Sequence, residues 1–270
     1  MQGASRESYA ATRAELEQLT DAAALATAAE EILAVAGLLR AEPRLRRALS
    51  DPARTGEERS QLLVGLVGGQ IGATAQNLLG SLVAGRWSSP VDLLDGAERL
   101  GVEALVVGAD RAGELAEVED ELFRFGQITG GDSALAAAIG DSTASVQRRF
   151  ELVDQLLTGK AKPATVLLAK EAVKGFGGRS FAGALTRLVE LAAEQRDRSV
   201  AYVTVAQPMS DADEAKLGEA LARRYGREVA LKVTVDPKVL GGARVLVGSD
   251  LYDGTVSRRL SDVRNALAAK

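Results

Sequence analysis

The sequence predicts a mainly α-helical chain with a C-terminal α+β unit: two tandem helical bundles followed by a small β-α-β-β-α domain. Three observations carry this. Apolar residues recur at helical spacing through most of the chain. The helical part contains a second copy of itself, displaced by 90 residues. After Arg198 the spacing changes to the alternation of half-buried strands. Composition agrees, because Ala, Leu and Val dominate the 270 residues and aromatic residues make up only 4%. That favours helices packed through small residues over a β-sandwich. A chain of this length forms one large domain or two to three small ones. The pattern divides it into residues 1–110, 111–196 and 197–270.

The repeat is ungapped over most of its length. Identities include Glu31/Glu121, Leu45/Leu135, Ala48/Ala138, Asp51/Asp141, Arg59/Arg149, Leu62/Leu152, Leu66/Leu156, Gly69/Gly159, Leu78/Leu168, Val83/Val173 and Gly85/Gly175. A small insertion near Gly177–Gly178 then shifts the register. Loop residues match as well as helical ones, so the copies represent a duplicated unit and not two similar Ala/Leu-rich helices. A unit this long with two copies is not a solenoid of short repeats.

Each copy reads alike. A long amphipathic helix comes first, with Ile32, Leu33, Val35, Leu38 and Leu39, or Leu122, Phe123, Phe125 and Ile128. A short helix ends near Leu49 or Ile139. Asp51 and Asp141 then supply turn or cap residues. Two further helices carry Leu62, Leu63, Leu66 and Val67, then Leu78, Leu79, Leu82 and Val83, with Leu152, Val153, Leu156 and Leu157 as second-copy counterparts of the first set. The last helices are expected over roughly Pro90–Val107 and Phe181–Gln195.

In the final third, "SVAYVTVA" sets Ala201, Val203 and Val205 against Val200, Tyr202 and Thr204, a strand with Tyr202 facing outward. A helix follows with Ser210 as N-cap, acids in its first turn, a stripe of Ala215, Leu217, Leu221 and Ala222, and Gly226 as terminator. "EVALKVTVDP" and "ARVLVG" are two more strands, joined by "PKVLGG". A closing helix places Val256, Leu260, Val263 and Leu267 on one face.

The chain has no cysteine and no histidine. That removes disulfides and thiol nucleophiles, the usual neutral-pH general base and the commonest metal ligand. Charge is -4 overall, with 12 basic against 10 acidic side chains in residues 197–270 and 21 against 27 in the remainder. Neither part has the basic face of a nucleic-acid binder. The most apolar window, Ala22 to Leu39, is interrupted by Glu30 and Glu31, and "MQGASRESYA" lacks a signal-peptide core. A soluble, cytoplasmic protein without a membrane span is expected, able to be held at a membrane by a partner.

No phosphate loop is complete. "TGKAKPAT" lacks the first glycine and the hydroxyl, and "GFGGRSFAG" breaks the dinucleotide fingerprint at Ser180. Gly241-Gly242 leads into a strand, not a helix N-terminus, so it reads as a turn or bulge, with Asp253-Gly254 as a second turn that caps the last helix. The acidic pairs, among them Glu30/Glu31, read as solvated faces or helix-dipole complements, and the arginine pairs Arg46/Arg47 and Arg148/Arg149 as solvated or at the edge of a protein interface. Tyr9 and Trp87 are candidate anchors for a partner, with core packing favoured for Trp87.

Val235-Asp236-Pro237 through Gly241, Gly242 and Gly248, preceded by Pro208-Met209-Ser210 and followed by Asp253-Gly254-Thr255 and Arg259-Leu260, form a long ordered pattern. It closely resembles the C-terminal region of the delta subunit family of F-type ATP synthases, whose mitochondrial counterpart is the oligomycin-sensitivity-conferring protein. Residues 118–270 carry the resemblance. Residues 1–110 look like an extra copy of the family's helical bundle, as in the long delta subunits of high-GC Gram-positive bacteria.

The resemblance implies a non-catalytic stator subunit without cofactors, on the cytoplasmic face of the cell membrane. It implies two partners: N-terminal helices of the alpha subunits for the bundle, and stalk subunit b for the C-terminal unit. It implies a groove for the alpha helix lined by Leu167, Leu168, Ala172 and Val173 in the second copy, matched by Leu78, Leu79, Leu82 and Val83 in the first. Signature residues are Asp236, Pro237, Gly241, Gly242, Gly248, Asp253 and Gly254. Two other readings remain at this level: a helical adaptor of another complex, and an enzyme with a carboxylate site between bundle and β unit.

Overall fold

The computed structural model describes residues 3–141, 143–198, 200–225, 229–237, 239–247, 250–256 and 258. Contacts divide the chain into one unit of residues 1–192 and a second of 193–270. The first holds α1 (Ala4–Glu17), α2 (Ala22–Ala41), α3 (Pro43–Leu49), α4 (Gly56–Val67), α5 (Ala73–Ala84), α6 (Pro90–Arg111), α7 (Leu115–Gly131), α8 (Ser133–Gly140), α9 (Val146–Leu157) and α10 (Pro163–Val173). A short 3-10 turn, Phe176–Gly178, leads into α11 (Phe181–Arg198), within which the division falls.

Helix starts follow local chemistry. Asp21 accepts from Ala23 N and Ala24 N at the head of α2, and Asp132 does the same for α8. Thr55 and Glu58 form a reciprocal capping box on α4, whereas Ser145 caps α9 with Arg148 in the place of Glu58. Proline opens α3, α6 and α10.

Residues 4–17, to which the sequence pattern assigned no helix, form α1. Displacing α1 by 90 residues lands it inside α6, so α6 has two roles. It closes the first copy against α1, α2, α3 and α5, and it opens the second by packing on α7 and α10. Every residue of α6 from 93 to 109 is buried except Asp95 and Arg99. A helix buried all round belongs at the centre of a domain. One cluster of buried side chains runs from Tyr9 to Ala192 through both copies.

The α2–α6 contact is close because Gly101 lies under Leu33. A Cβ there would meet Leu33 Cγ at 2.6 Å and Cδ2 at 2.7 Å. Helix α2 is long and apolar enough by length and composition to cross a membrane. Here Leu25, Ile32 and Leu39 are fully buried and the helix packs as a core element.

The second unit has β1 (Val200–Val205), α12 (Asp211–Tyr225), β2 (Ala230–Val235), β3 (Ala243–Val247) and β4 (Asp250–Asp253). Sheet order is β2-β1-β3-β4, with β1–β2 parallel and the other pairs antiparallel. Strand β4 is an addition to the expected topology. It pairs Leu246 with Leu251 and Val245 with Tyr252 in a hairpin with β3. Ala201, Val203, Val205, Val245 and Val247 form the inner face with Leu221 of α12. Ser210 caps α12 by accepting from Asp213 N at 3.2 Å. The expected terminator Gly226, signature residue Gly248 and closing-helix residues Arg259, Leu260, Val263 and Leu267 lie outside the described residues.

Candidate partner-binding surface

Helices α5 and α10 are the same element in the two copies, and each is held at both ends by the same pair of repeated residues. At the N-terminus, Glu31 of α2 accepts from Gly72 N at 2.9 Å. Its counterpart Glu121 of α7 accepts from Lys162 N at 2.9 Å and from Thr165 Oγ1 at 2.5 Å. At the C-terminus, Arg59 donates to the carbonyls of Val83, Ala84 and Gly85. Arg149 donates to Val173 O at 3.1 Å. An acid at the amide end and a cation at the carbonyl end both oppose the helix dipole and satisfy orphan backbone groups. Glu31 is thus a dipole complement, one of the two roles read from the sequence, and Arg149 is a structural tie and not the solvated charge that its sequence neighbourhood suggested.

The apolar stripe expected to line a groove faces inward. Leu78, Leu79, Leu82 and Val83 are buried where α5 meets α1, α2 and α6. Leu168, Ala172 and Val173 are buried where α10 meets α6 and α7. Helical periodicity told which side is apolar, but not that α1 and α6 cover it. Leu167 alone of the eight is half-exposed.

The outward faces of α5 and α10 differ. On α10, Ala164, Val166 and Leu167 are half-exposed, followed by Lys170 and Lys174. Both lysines also lie over the Phe150 ring of α9, at 5.8 and 5.7 Å from its centroid. The residues in the same places on α5 are Thr74, Gln76 and Asn77. Gln76 is turned to its own backbone, donating to Gly68 O and Ile71 O. The second copy therefore offers a half-exposed apolar strip where the first offers polar groups, and its edge lysines are paired, Lys170 with Asp154 at 2.7 Å and Lys174 with Glu171 at 2.5 Å.

Tyr9 and Trp87 are both buried, at 4% and 8% exposure, and neither is an exposed anchor. Arg99 stacks on the Tyr9 ring at 4.8 Å. Burial first, then the charge of Glu103, pushes the Tyr9 hydroxyl well above its ordinary value. Trp87 donates its indole N–H to Leu82 O at 2.9 Å.

In the second unit Gly241, Gly242, Asp253 and Gly254 of the signature converge on one turn. Gly241 and Gly242 have φ of 71° and 80°, a region closed to most side chains. A Cβ on Gly242 would meet Gly254 O at 2.4 Å. Gly254 N donates to Ala243 O and Val256 N to Gly241 O, so the chain leaving β4 is bound to the chain entering β3. Asp253 accepts from Thr255 N at 3.1 Å and Thr255 Oγ1 at 2.6 Å. Those bonds hold its carboxyl below the usual range. Asp236 N, beside Pro237, donates to Val205 O at 2.8 Å and ends the β1–β2 pairing. The glycines are consumed by main-chain geometry.

The outer sheet face carries an apolar row. Register sets Lys232, Tyr202, Leu246 and Leu251 side by side across the four strands. Tyr202 is 41% exposed, Leu246 38% and Leu251 58%. The fourth strand, which the sequence pattern did not yield, is what extends the row to Leu251.

Two helical copies around a shared helix, joined to a small α/β unit, define a mainly α-helical protein with a C-terminal α/β unit. Comparison with known proteins specifies which. The family model described as "ATP synthase delta (OSCP) subunit" matches residues 102–267, beginning inside α6. "ATP synthase subunit delta" of Salinispora arenicola is 60% identical over 269 residues, covering 98% of each chain. The protein of the same name from Salinispora tropica is 58% identical over 269 residues, again with 98% of each covered. That of Streptomyces griseus subsp. griseus is 45% identical over 270 residues, 99% of this chain and 100% of the relative. The chain belongs to the ATP synthase delta (OSCP) subunit family. Its members are non-catalytic stator components of the peripheral stalk, and the likeness runs through the additional helical copy as well.

Proposed function

We propose that the chain joins the catalytic head of ATP synthase to the peripheral stalk through two separate faces, and so keeps the head from turning with the rotor. The outward strip of α10, with Ala164, Val166, Leu167 and the edge cations Lys170 and Lys174, takes an amphipathic N-terminal helix of an alpha subunit. The observation that carries this is the contrast with α5, where the same positions are polar although the two helices are clamped alike. Helix-in-groove docking uses an apolar strip with charged edges of this kind. The row Tyr202–Leu246–Leu251 in residues 197–270 takes the distal end of stalk subunit b. Residues 1–110 add contact to the head or stalk. The complex places the protein on the cytoplasmic face of the cell membrane, without a span of its own. Several moderate contacts linked in one chain give a stator more hold than any single one.

The test is co-purification from cells expressing the full chain. Val166→Glu with Leu167→Glu is expected to release the alpha, beta and gamma subunits while retaining b. Leu246→Glu with Leu251→Glu is expected to release b while retaining the head. The reverse pattern, or retention of both partners by both variants, would refute the assignment.

A further inference from the structure

The first copy has a recess with no equivalent chemistry in the second. Two adjoining clefts of about 560 and 460 Å³ open between the turn at 50–55 and the segment 84–90. They share Ser50, Pro52, Arg54 and Trp87. Arg86 lines one cleft and Arg47 the other. Arg47, Arg54 and Arg86 are all exposed.

Of the local acids only Asp51, which also lines the smaller cleft, meets one of the three arginines. Asp51 is bound to Ala53 N at 2.9 Å and stands 3.9 Å from Arg54, the outer limit of an ion pair. Glu58 is held in the capping box with Thr55. Asp92 accepts from Ser5 at 2.7 Å. Neither Arg47 nor Arg86 has a side-chain partner among the described residues. Arg59, which also lines the larger cleft, has spent its donors on five carbonyls and belongs to the frame.

The fold does not require these arginines. The second copy builds the same turn and the same clamped helix with Ala137, Ala144 and Phe176 in the places of Arg47, Arg54 and Arg86. A repeat supplies its own control here, since what differs between two copies of one unit is free of the demands of that unit. Three exposed guanidinium groups along a recess walled by Trp87 and Pro52, those of Arg47 and Arg86 without a side-chain partner among the described residues, suit a chain carrying carboxylates. Arginine pairs with them in a two-pronged geometry, and a recess at the edge of an aromatic side chain also accommodates an extended backbone. The net charge of -4 argues against nucleic acid.

We propose that this recess docks an acidic, extended segment of another ATP synthase subunit. The proposal rests on membership of the family, and not on the roles given above to α10 and the outer sheet face. The test places a benzophenone amino acid at Ser88, an exposed residue of the smaller cleft, in full chain assembled into the purified complex. Irradiation is expected to yield one cross-linked peptide rich in Asp and Glu. The triple variant Arg47→Ala, Arg54→Ala, Arg86→Phe, which writes the second copy's residues into the first, is expected to cut that yield roughly tenfold or more. It should leave the melting temperature and the recovery of b and of the head unchanged, because exposed side chains carry little of the fold. A cross-link to lipid, to a neutral or basic segment, or to nothing would overturn the proposal, as would an undiminished yield in the triple variant. Loss of b or the head in the α10 and sheet variants bears only on the earlier reading, so the two fail separately.

Discussion

Arg59 and Arg149 occupy the same place in the two helical copies, yet they are built in differently. Arg59 is 5% exposed and donates to five carbonyls: Val83, Ala84 and Gly85 at the end of α5, and Asp51 and Arg54 in the preceding turn. Arg149 is half-exposed, donates to Val173 O, and leaves its Nε buried without a partner. Around the first, Leu33 is buried on Gly101, and α6 is buried all round. Around the second, Phe123, in the place of Leu33, is 54% exposed. Other apolar exposure is shared, since Leu38, Val64 and Leu66 of the first copy are exposed too, and the difference lies in the outward faces of α5 and α10. The second copy has half-exposed apolar residues on α10 where the first has Thr74, Gln76 and Asn77. A duplicated unit has let the outward face of one helix stay polar while that of its counterpart is apolar, on the side where the proposed partner binds.

The sharpest way to break this comparison is to remove both arginines in turn. Arg59→Ala strips a charged donor from five carbonyls, three of them at a helix end. It is expected to cost about 3–5 kcal/mol, the range for breaking a buried charged network. Arg149→Ala removes one charged hydrogen bond and is expected to cost about 1–2 kcal/mol. Urea denaturation of the full chain, with the first unit followed separately from the second, measures both. Equal costs would mean that the two copies rely on this arginine alike.

The same contrast shows how far the sequence could be read. The helices, their caps and the repeat were legible because amphipathic spacing and Asp, Ser, Thr and Pro at helix starts are local signals. The turning role of Gly241-Gly242 was legible because a strand, not a helix, follows it. The covering of α5 and α10 was not, because periodicity identifies an apolar side but not the neighbour that covers it. Leu78 and Leu168 read alike as core and as groove. The double role of α6 had a signal in its unbroken apolar run "ALVVGA", which no surface helix would carry. Arg59 had only its identity with Arg149, because an arginine near a polar turn reads as solvated until its carbonyl partners are seen. Strand β4 rests on two apolar residues, Leu251 and Tyr252, too few for a periodic pattern.

Glycines sharpen the comparison next. Gly101→Ala forces a Cβ to 2.6 Å from Leu33 Cγ in the first copy. Overpacking of this kind is expected to cost about 1–3 kcal/mol. Gly126 of α7 stands where the first copy has Ala36, and its nearest neighbour, Leu185 Cδ1, would be 4.0 Å from an added Cβ. Gly126→Ala is therefore expected to stabilise by about 0.5–1 kcal/mol through backbone entropy and helix propensity. Thermal melts of the two variants should move in opposite directions. Destabilisation by Gly126→Ala would show that the second copy is packed as tightly as the first.

The smallest expected effect is a pH dependence confined to the second copy. Glu171 of α10 is 6% exposed, and the first copy has Ser81 in its place. Burial pushes the Glu171 carboxyl above the ordinary 4.5, opposed by Lys174 at 2.5 Å and by Arg40, and reinforced by Glu98. Below 4.5 both folded and unfolded chains hold this proton, and the group is without effect on their balance. Above it the unfolded chain releases the proton first, so the folded state binds more protons and loses stability as pH rises through the raised value. Glu171→Gln removes that loss. Melting temperatures of the two proteins should differ least at acid pH, with the Gln variant gaining on the parent as the pH is raised to neutrality. Parallel curves would mean that Lys174 fully compensates the burial, and that the second copy carries no strain of its own at this position.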